Sequence, residues 1–407
     1  MRRARPQERA FPVRELRNKH TVLVTEAHTI GSLAVIRSLG SAGYRVIACS
    51  PVDNALAFHS NYCQLAQVQP AYGDLAPYLE WLDSLLAREK VELIIPSEAF
   101  LLAIRPHFAD YRHLLAVSDD EERVYAGLSK FDLFKSCRDA ALNEHRPPFI
   151  LLEEDDPMPE KRALAALGCP LYLKLDGVHS CRGQGGAIIR CADAAAALAQ
   201  LSDLRKDYRK VLIQGHVEGT GVGVFLARWG QQTLAEFMHR RLHEVPHTGG
   251  ASSYRESWKH DKVLSDARAL MQHLNWEGVG MFEYRWDPKS DRFYLMEFNS
   301  RFWGSLHLAL FAGVDFPRLL ADAFFERANA AVLSYPAVRC RLTYPRELEY
   351  VLSCLKDSNL PIAKRLWPLA EFFALGANPS IYSDLNFPGD RALYGRMMVR
   401  SIEKFLS

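Results

Sequence analysis

The chain has 407 residues and a mass of 46.1 kDa, a length that suits two or three domains. Its 48 % hydrophobic and 24 % charged residues are ordinary for a soluble globular protein, and a formal charge of +2 decides little by itself. No run of about 18 apolar residues is present, and the eight cysteines show neither a CxxC spacing nor a paired pattern. A membrane span, a disulfide framework and a zinc site are therefore not expected, and reduced thiols in a cytoplasmic protein are.

Residues 1–20 hold seven basic against two acidic side chains and read as a solvated, flexible basic tail, so no nucleic-acid or membrane partner is assigned to it. Residues 21–117 read as an alternating α/β unit. Val22-Leu23-Val24 is a buried parallel strand, Leu33, Ile36 and Leu39 lie at helical spacing, Gly43 ends that helix, and Val46-Ile47-Ala48 is the next strand. VELIIPSEAF adds a third strand and LLAVSD a possible fourth, which together predict a Rossmann-like parallel sheet. The first strand-to-helix turn holds only Gly31, so the full dinucleotide fingerprint is missing.

Residues 118–330 follow a mixed α+β order. A helical stretch with a linker runs to about residue 168, and LYLKLDG is then a strand. Glycines 177, 183, 185 and 186 form a turn back into a strand, and further strands cover VLIQGHVEG, GVGVFLARW and LAEFMHRRLH. VLSDARALMQHLN is a helix. Residues 331–407 read as a helical extension whose aromatic segments LEYVLSCLK and AKRLWPLAEFFAL pack on the main body or form a dimer contact.

The most informative segment is VGMFEYRWDPKSDRFYLMEFNSR, two strands around the turn DPKSD. Glu283 and Glu297 are equidistant from residue 290, so a hairpin centred there opposes them, and Asn299 shares the face of Glu297. Opposed like charges destabilise a ladder unless they are neutralised. Two carboxylates and an amide oxygen suit a hard divalent cation, magnesium first. Lys174, on an apolar strand, needs an anion or an edge. The glycines after it can turn successive N–H groups toward a phosphate, although a Walker A sequence is absent.

Glu283 with the string Glu297-Phe298-Asn299-Ser300-Arg301 resembles the metal-binding strands of the ATP-grasp superfamily, closest to its carboxylate–amine ligase and carbamoyl-phosphate synthetase large-subunit branch. The resemblance spans about residues 21–320. It implies an N-terminal Rossmann-like domain, then an ATP-grasp fold of two subdomains gripping ATP. It implies Mg2+ (or Mn2+) on Glu283, Glu297 and Asn299, and phosphates on Lys174, Lys130, Gly183, Gly185 and Gly186. It also implies adenine at a hinge of Gln214 and Val217, Glu218 as a possible ribose contact, and Arg301 beside the transferring phosphoryl group.

The expected activity is an ATP-dependent ligase that converts a small carboxylate to an acyl phosphate and joins it to an amine. A carbamoyl-phosphate-synthetase-like kinase of bicarbonate or a small acid, and a non-catalytic nucleotide-binding regulator, are the alternatives. Arg255, after the small-residue stretch HTGGASS, is the first choice to read the substrate carboxylate, and Arg241 the second. Arginines paired with Glu236, Glu244 or Glu256 are the plainer alternative. Period two along LAEFMHRRLH keeps Arg240 and Arg241 from entering one cleft together. A homodimer is possible.

Overall fold

A computed structural model describes residues 20–183, 185–327 and 330–406, with side chains up to residue 399. Apart from His20, the basic tail lies outside the described residues. Three sheets organise the molecule. The first is parallel, in the order β3-β2-β1-β4, from β1 (Thr21–Val24), β2 (Arg45–Ser50), β3 (Leu65–Val68) and β4 (Leu93–Ile95). Helix Ile30–Ser41 starts where the Thr29 side chain accepts from Ser32 N, and it buries Leu33, Ile36 and Leu39. Gly43, at φ 90°, then turns the chain into β2.

Two expectations change here. Leu65–Val68 is a strand that the sequence reading passed over, because a four-residue edge strand carries little periodicity. The stretch LLAVSD forms no strand and contributes a single bridge, Leu115 to Ile94.

The second sheet, antiparallel in the order β5-β8-β6-β7, comprises β5 (Phe149–Leu152), β6 (Leu171–Leu175), β7 (Ala187–Cys191) and β8 (Val211–Gly215). β5 interrupts what reads as helix and linker. The third sheet has seven strands in the order β13-β12-β9-β10-β11-β14-β15. They are β9 (Thr220–Trp229), β10 (Gln232–Val245), β11 (Ala251–Ser257), β12 (Gly278–Trp286), β13 (Phe293–Asn299), β14 (Arg339–Arg341) and β15 (Ile381–Ser383). The C-terminal region thus supplies two short strands in addition to helices Leu348–Lys356 and Ile362–Ala377.

Two of the three cores are shared between the parallel and the seven-stranded sheet. One joins Leu33, Val46 and Leu93 to Phe225, Trp303 and Leu306. The other joins Leu23, Ile94 and Phe131 to Phe282 and Phe298. The small antiparallel sheet has a core of its own, built on Leu164, Leu173, Leu201 and Ile213.

A buried polar lattice ties the C-terminal region to both large parts. Arg37 Nε donates to Asp390 Oδ2 at 2.7 Å, and its Nη1 to His307 Nε2 at 2.9 Å. Arg255 pairs with Asp384, whose Oδ1 also accepts from Cys340 Sγ at 2.9 Å. Burial drives His307 down to about 3, so its ring is neutral and can accept from Arg37.

Candidate active site

β12 and β13 pair with Glu283 opposite Glu297 and Met281 opposite Asn299. The register shifts between Glu283 and Tyr284, so Met296 is an extra residue in β13. That bulge has a function in the packing: Lys174 Nζ, from β6 of the small sheet, donates to the Met296 carbonyl at 2.9 Å. The lysine of one sheet is thereby fixed one residue from the carboxylate of another.

Around Glu297 the charges converge. Lys130 Nζ lies 3.4 Å from Glu297 Oε2 and 3.8 Å from Asp176 Oδ1. Lys130 opens helix Lys130–Asp139, whose N-cap Ser129 donates to Asp176 Oδ2 at 3.0 Å, and Phe131 N donates to the same oxygen at 2.9 Å. Asp176 therefore docks the glycine-loop end of β6 onto that helix.

Burial opposes the Lys130 charge, yet Glu297, Asp176 and Glu98 outweigh it and hold the ammonium above its usual range. For Lys174 burial wins and lowers it to about 8, against the pull of Glu297. Glu297 would rise with burial, but Lys130, Lys174 and the Asn299 amide bring it down to about 2. Glu283 is pushed up by burial and by Glu297, with Arg241 opposing.

Arg241 reaches Glu283 from β10 across β9, in contact with its carboxylate Oε2. The reach is possible because β9 presents Gly221 opposite Arg285 and Gly223 opposite Glu283. A Cβ at Gly221 would stand 2.7 Å from Arg241 Cδ, and one at Gly223 2.9 Å from His239 Nε2. Arg241 also donates to the Gly250 carbonyl at 2.9 Å, and Arg285 to Glu244 at 3.0 Å. The floor beside the two glutamates is thus a network of paired charges in which Asn299 Nδ2 donates to Glu283 Oε1 (3.1 Å) and Glu297 Oε1 (3.0 Å). Among the described residues no group of three or more His, Cys, Asp or Glu side chains that could hold a metal ion is found.

Arg301 sits at the rim, its Nη2 3.4 Å from Asn299 Oδ1 and its Nε 3.6 Å from Glu98. It lines a crevice of about 290 Å³ with Thr25, Ser97, Glu98 and Trp303. The crevice lies past the C-terminal ends of β1 and β4, between which the order of the parallel sheet reverses, the usual ligand position in such sheets.

Gly183, Gly185 and Gly186 belong to the turn between β6 and β7; Gly183 has φ 73°, and Tyr208 Oη donates to the Gly185 carbonyl at 2.7 Å. Gln214 is buried in β8 with its Nε2 unbonded, Val217 follows the strand end, and Glu218 points to solvent beside His216.

Arg255 differs from its expected setting. Of the segment read as a flexible loop, 247–250 do form a turn, but Ala251–Ser253 already belong to strand β11, and Arg255 in that strand is buried on Asp384. Arg241 is the arginine that reaches the carboxylate pair, and Arg240 turns to the opposite face, onto Glu256. Asp176, Glu98, Gly221 and Gly223 join the site without having been singled out. GVG at alternate positions of a strand was the available signal for the glycines.

Sheets that face each other across such a site define the ATP-grasp architecture, and residues 208–343 match the family model described as "ATP-grasp in the biosynthetic pathway with Ter operon". Solved structures agree on the fold. An ADP complex of N5-carboxyaminoimidazole ribonucleotide synthetase is 15 % identical, with a TM-score of 0.57 over 79 % of this chain and 80 % of that one. A biotin carboxylase from Campylobacter jejuni is 15 % identical, with a TM-score of 0.55 over 76 % and 72 %. An L-amino acid ligase from Bacillus licheniformis is 10 % identical, with a TM-score of 0.54 over 76 % and 75 %. No curated protein matches the sequence. The family model covers residues 208–343 and the solved structures share the fold, so the chain has an ATP-grasp fold.

Proposed function

We propose that the chain is an ATP-dependent ligase that activates a small carboxylate as an acyl phosphate and joins it to an amine. The observation that carries this reading is the meeting of Lys130 and Lys174 with Glu297, which gathers cations and carboxylates from two sheets at one point. Solved relatives of this fold include an ADP complex of a synthetase and an L-amino acid ligase.

Glu283, Glu297 and Asn299 fit a magnesium ion, which manganese could replace. The amide of Asn299 already stands between both carboxylates, and its oxygen and nitrogen exchange by a half-turn. Such an ion, when bound, polarises phosphoryl oxygens as a Lewis acid.

The protein's own residues position the rest. Lys174 and Lys130 neutralise phosphate charge, and the N–H groups around Gly183, Gly185 and Gly186 close over the phosphates. Gln214 and Val217 border the adenine, with Glu218 near the ribose. The substrate carboxylate attacks the γ-phosphorus of ATP and ADP leaves. The amine then displaces phosphate from the acyl carbon. Arg301, between the acid–amide group and the crevice, faces the charge that spreads over the transferring group. The crevice beside Glu98 is where the amine approaches. Positioning and charge stabilisation carry the rate.

The test is an ADP-release screen with pooled amino acids and small carboxylates, followed by mass spectrometry for a condensed product lacking one water. ADP release with a carboxylate and an amine together, and the matching product, supports the ligase. Release with bicarbonate alone replaces it with the kinase reading, and no release with any pool removes it.

A further inference from the structure

Helix Ile362–Ala377 presents a face that nothing in the described structure covers. Ile362 is 72 % exposed, Leu366 53 %, Trp367 66 %, Leu369 43 % and Phe373 67 %. The helix is held on its other side, where Arg365 donates to the Leu355 carbonyl at 2.6 Å, Glu371 lies 3.5 Å from His243, and Pro368 is buried. These five side chains share one arc of the helix with Ala363, Ala370 and Ala377, and the exposed Lys364 falls outside that arc, beyond Trp367. Five large side chains so exposed leave on the order of 500 Å² of apolar surface in water, at the upper end of what a monomer shows.

We propose that this face is the contact through which two copies of the chain form a twofold dimer, helix against helix. Ile362, Leu366, Leu369 and Phe373 follow a four–three–four spacing, the period that keeps one seam facing a partner helix. Beside that ridge runs a row of small residues, Ala363, Ala370 and Ala377, seven apart. A twofold axis parallel to the helix lays the ridge of each copy on the small row of the other, so the surface is its own complement. The ~500 Å² of apolar surface, Trp367 included, is more than half of the ~800 Å² that each partner brings to a standard interface. The arc carries no basic residue, which disfavours an anionic bilayer as the occupant.

Sedimentation of the full chain from about 1 to 100 µM tests the proposal. A dimer is expected, and Leu366→Glu and Phe373→Glu are expected to raise its dissociation constant at least 100-fold while far-UV dichroism, and the melting temperature at a concentration where wild type and variant are both monomeric, stay unchanged. Both positions are exposed, so neither change removes a core contact. In a chain whose exposed Cys169 and Cys181 are serine, single cysteines at Ala363, Ala370 and Ala377 are each expected to form disulfide-linked dimers. Cross-linking at Ala370 alone indicates an antiparallel pair and overturns the stated geometry. A wild-type monomer at 100 µM, a dimer indifferent to both glutamates, or a monomer that floats with phosphatidylcholine vesicles overturns the proposal.

Discussion

Arg241 and Glu283 touch across an intervening strand, which offers Gly221 where the arginine passes and Gly223 opposite the glutamate. The pair supplies one positive charge to a site with two opposed carboxylates before any ligand arrives. Arg241→Gln should leave Glu283 buried beside Glu297 without that charge and lower the melting temperature. A divalent cation can replace the missing charge, so millimolar Mg2+ should restore more of the melting temperature in the variant than it adds to the wild type. Equal Mg2+ effects on both proteins would show that the ion does not bind beside Glu283.

Glu297→Gln removes one carboxylate charge at constant size. ATP-dependent turnover should fall about 10²-fold or more, since each ~1.4 kcal/mol of lost transition-state stabilisation is tenfold in rate. Isothermal titration should show weaker Mg·ATP binding with the fold intact. Near-normal ADP release by this variant would remove the acid–acid–amide group from the chemistry.

Lys174 provides a pH signature. Burial lowers it to about 8, below its ordinary value of 10.5. Between those two values the unfolded chain binds more protons than the folded one, so stability rises with pH on account of this residue. Below about pH 8 the charged lysine disfavours the folded state by on the order of 3 kcal/mol relative to its neutral form. Denaturant melts of Lys174→Met against wild type should show a stability difference that is constant below pH 8 and shifts toward the wild type as pH approaches 10.5. ATP affinity should fall in the variant. A pH-independent difference would mean that Lys174 is not held at about 8.

Arg255 and Asp384 are a buried pair, and the expectation attached to them is structural. Arg255→Met strands a buried carboxylate and should cost about 3–5 kcal/mol in urea unfolding, whereas Arg255→Met with Asp384→Leu should recover most of it. An unperturbed stability together with a raised KM for the carboxylate would return Arg255 to the substrate.

Legibility followed the range of the forces involved. The opposition of Glu283 and Glu297 was readable because period-two alternation and a turn are local. The bulge at Met296 was not, since its carbonyl is taken by Lys174, 122 residues away in sequence. β3 and β5 are four-residue edge strands whose order comes from neighbours rather than from their own pattern. Arg255 was misplaced for the same reason: the small residues before it suggest a loop, while Asp384, 129 residues further on, fixes it in a sheet. Gly221 and Gly223 left a visible trace, but only the strand order shows that Arg241 passes over Gly221 and His239 lies beside Gly223.

The separate core of the small antiparallel sheet has a mechanical consequence. The parallel sheet, the seven-stranded sheet and the C-terminal region share buried side chains and the Arg37–Asp390 and Arg255–Asp384 links, so they behave as one frame. The small sheet meets that frame through Leu212, Phe149 and Leu151 as well as through polar contacts, Lys174 to Met296 and Asp176 to Ser129 among them. Lys174 and the glycine turn therefore belong to one lobe and Glu283, Glu297 and Arg301 to the other. In the proposed ligase, any displacement of the lobe would separate Lys174 from the carboxylates and its return would bring them back together.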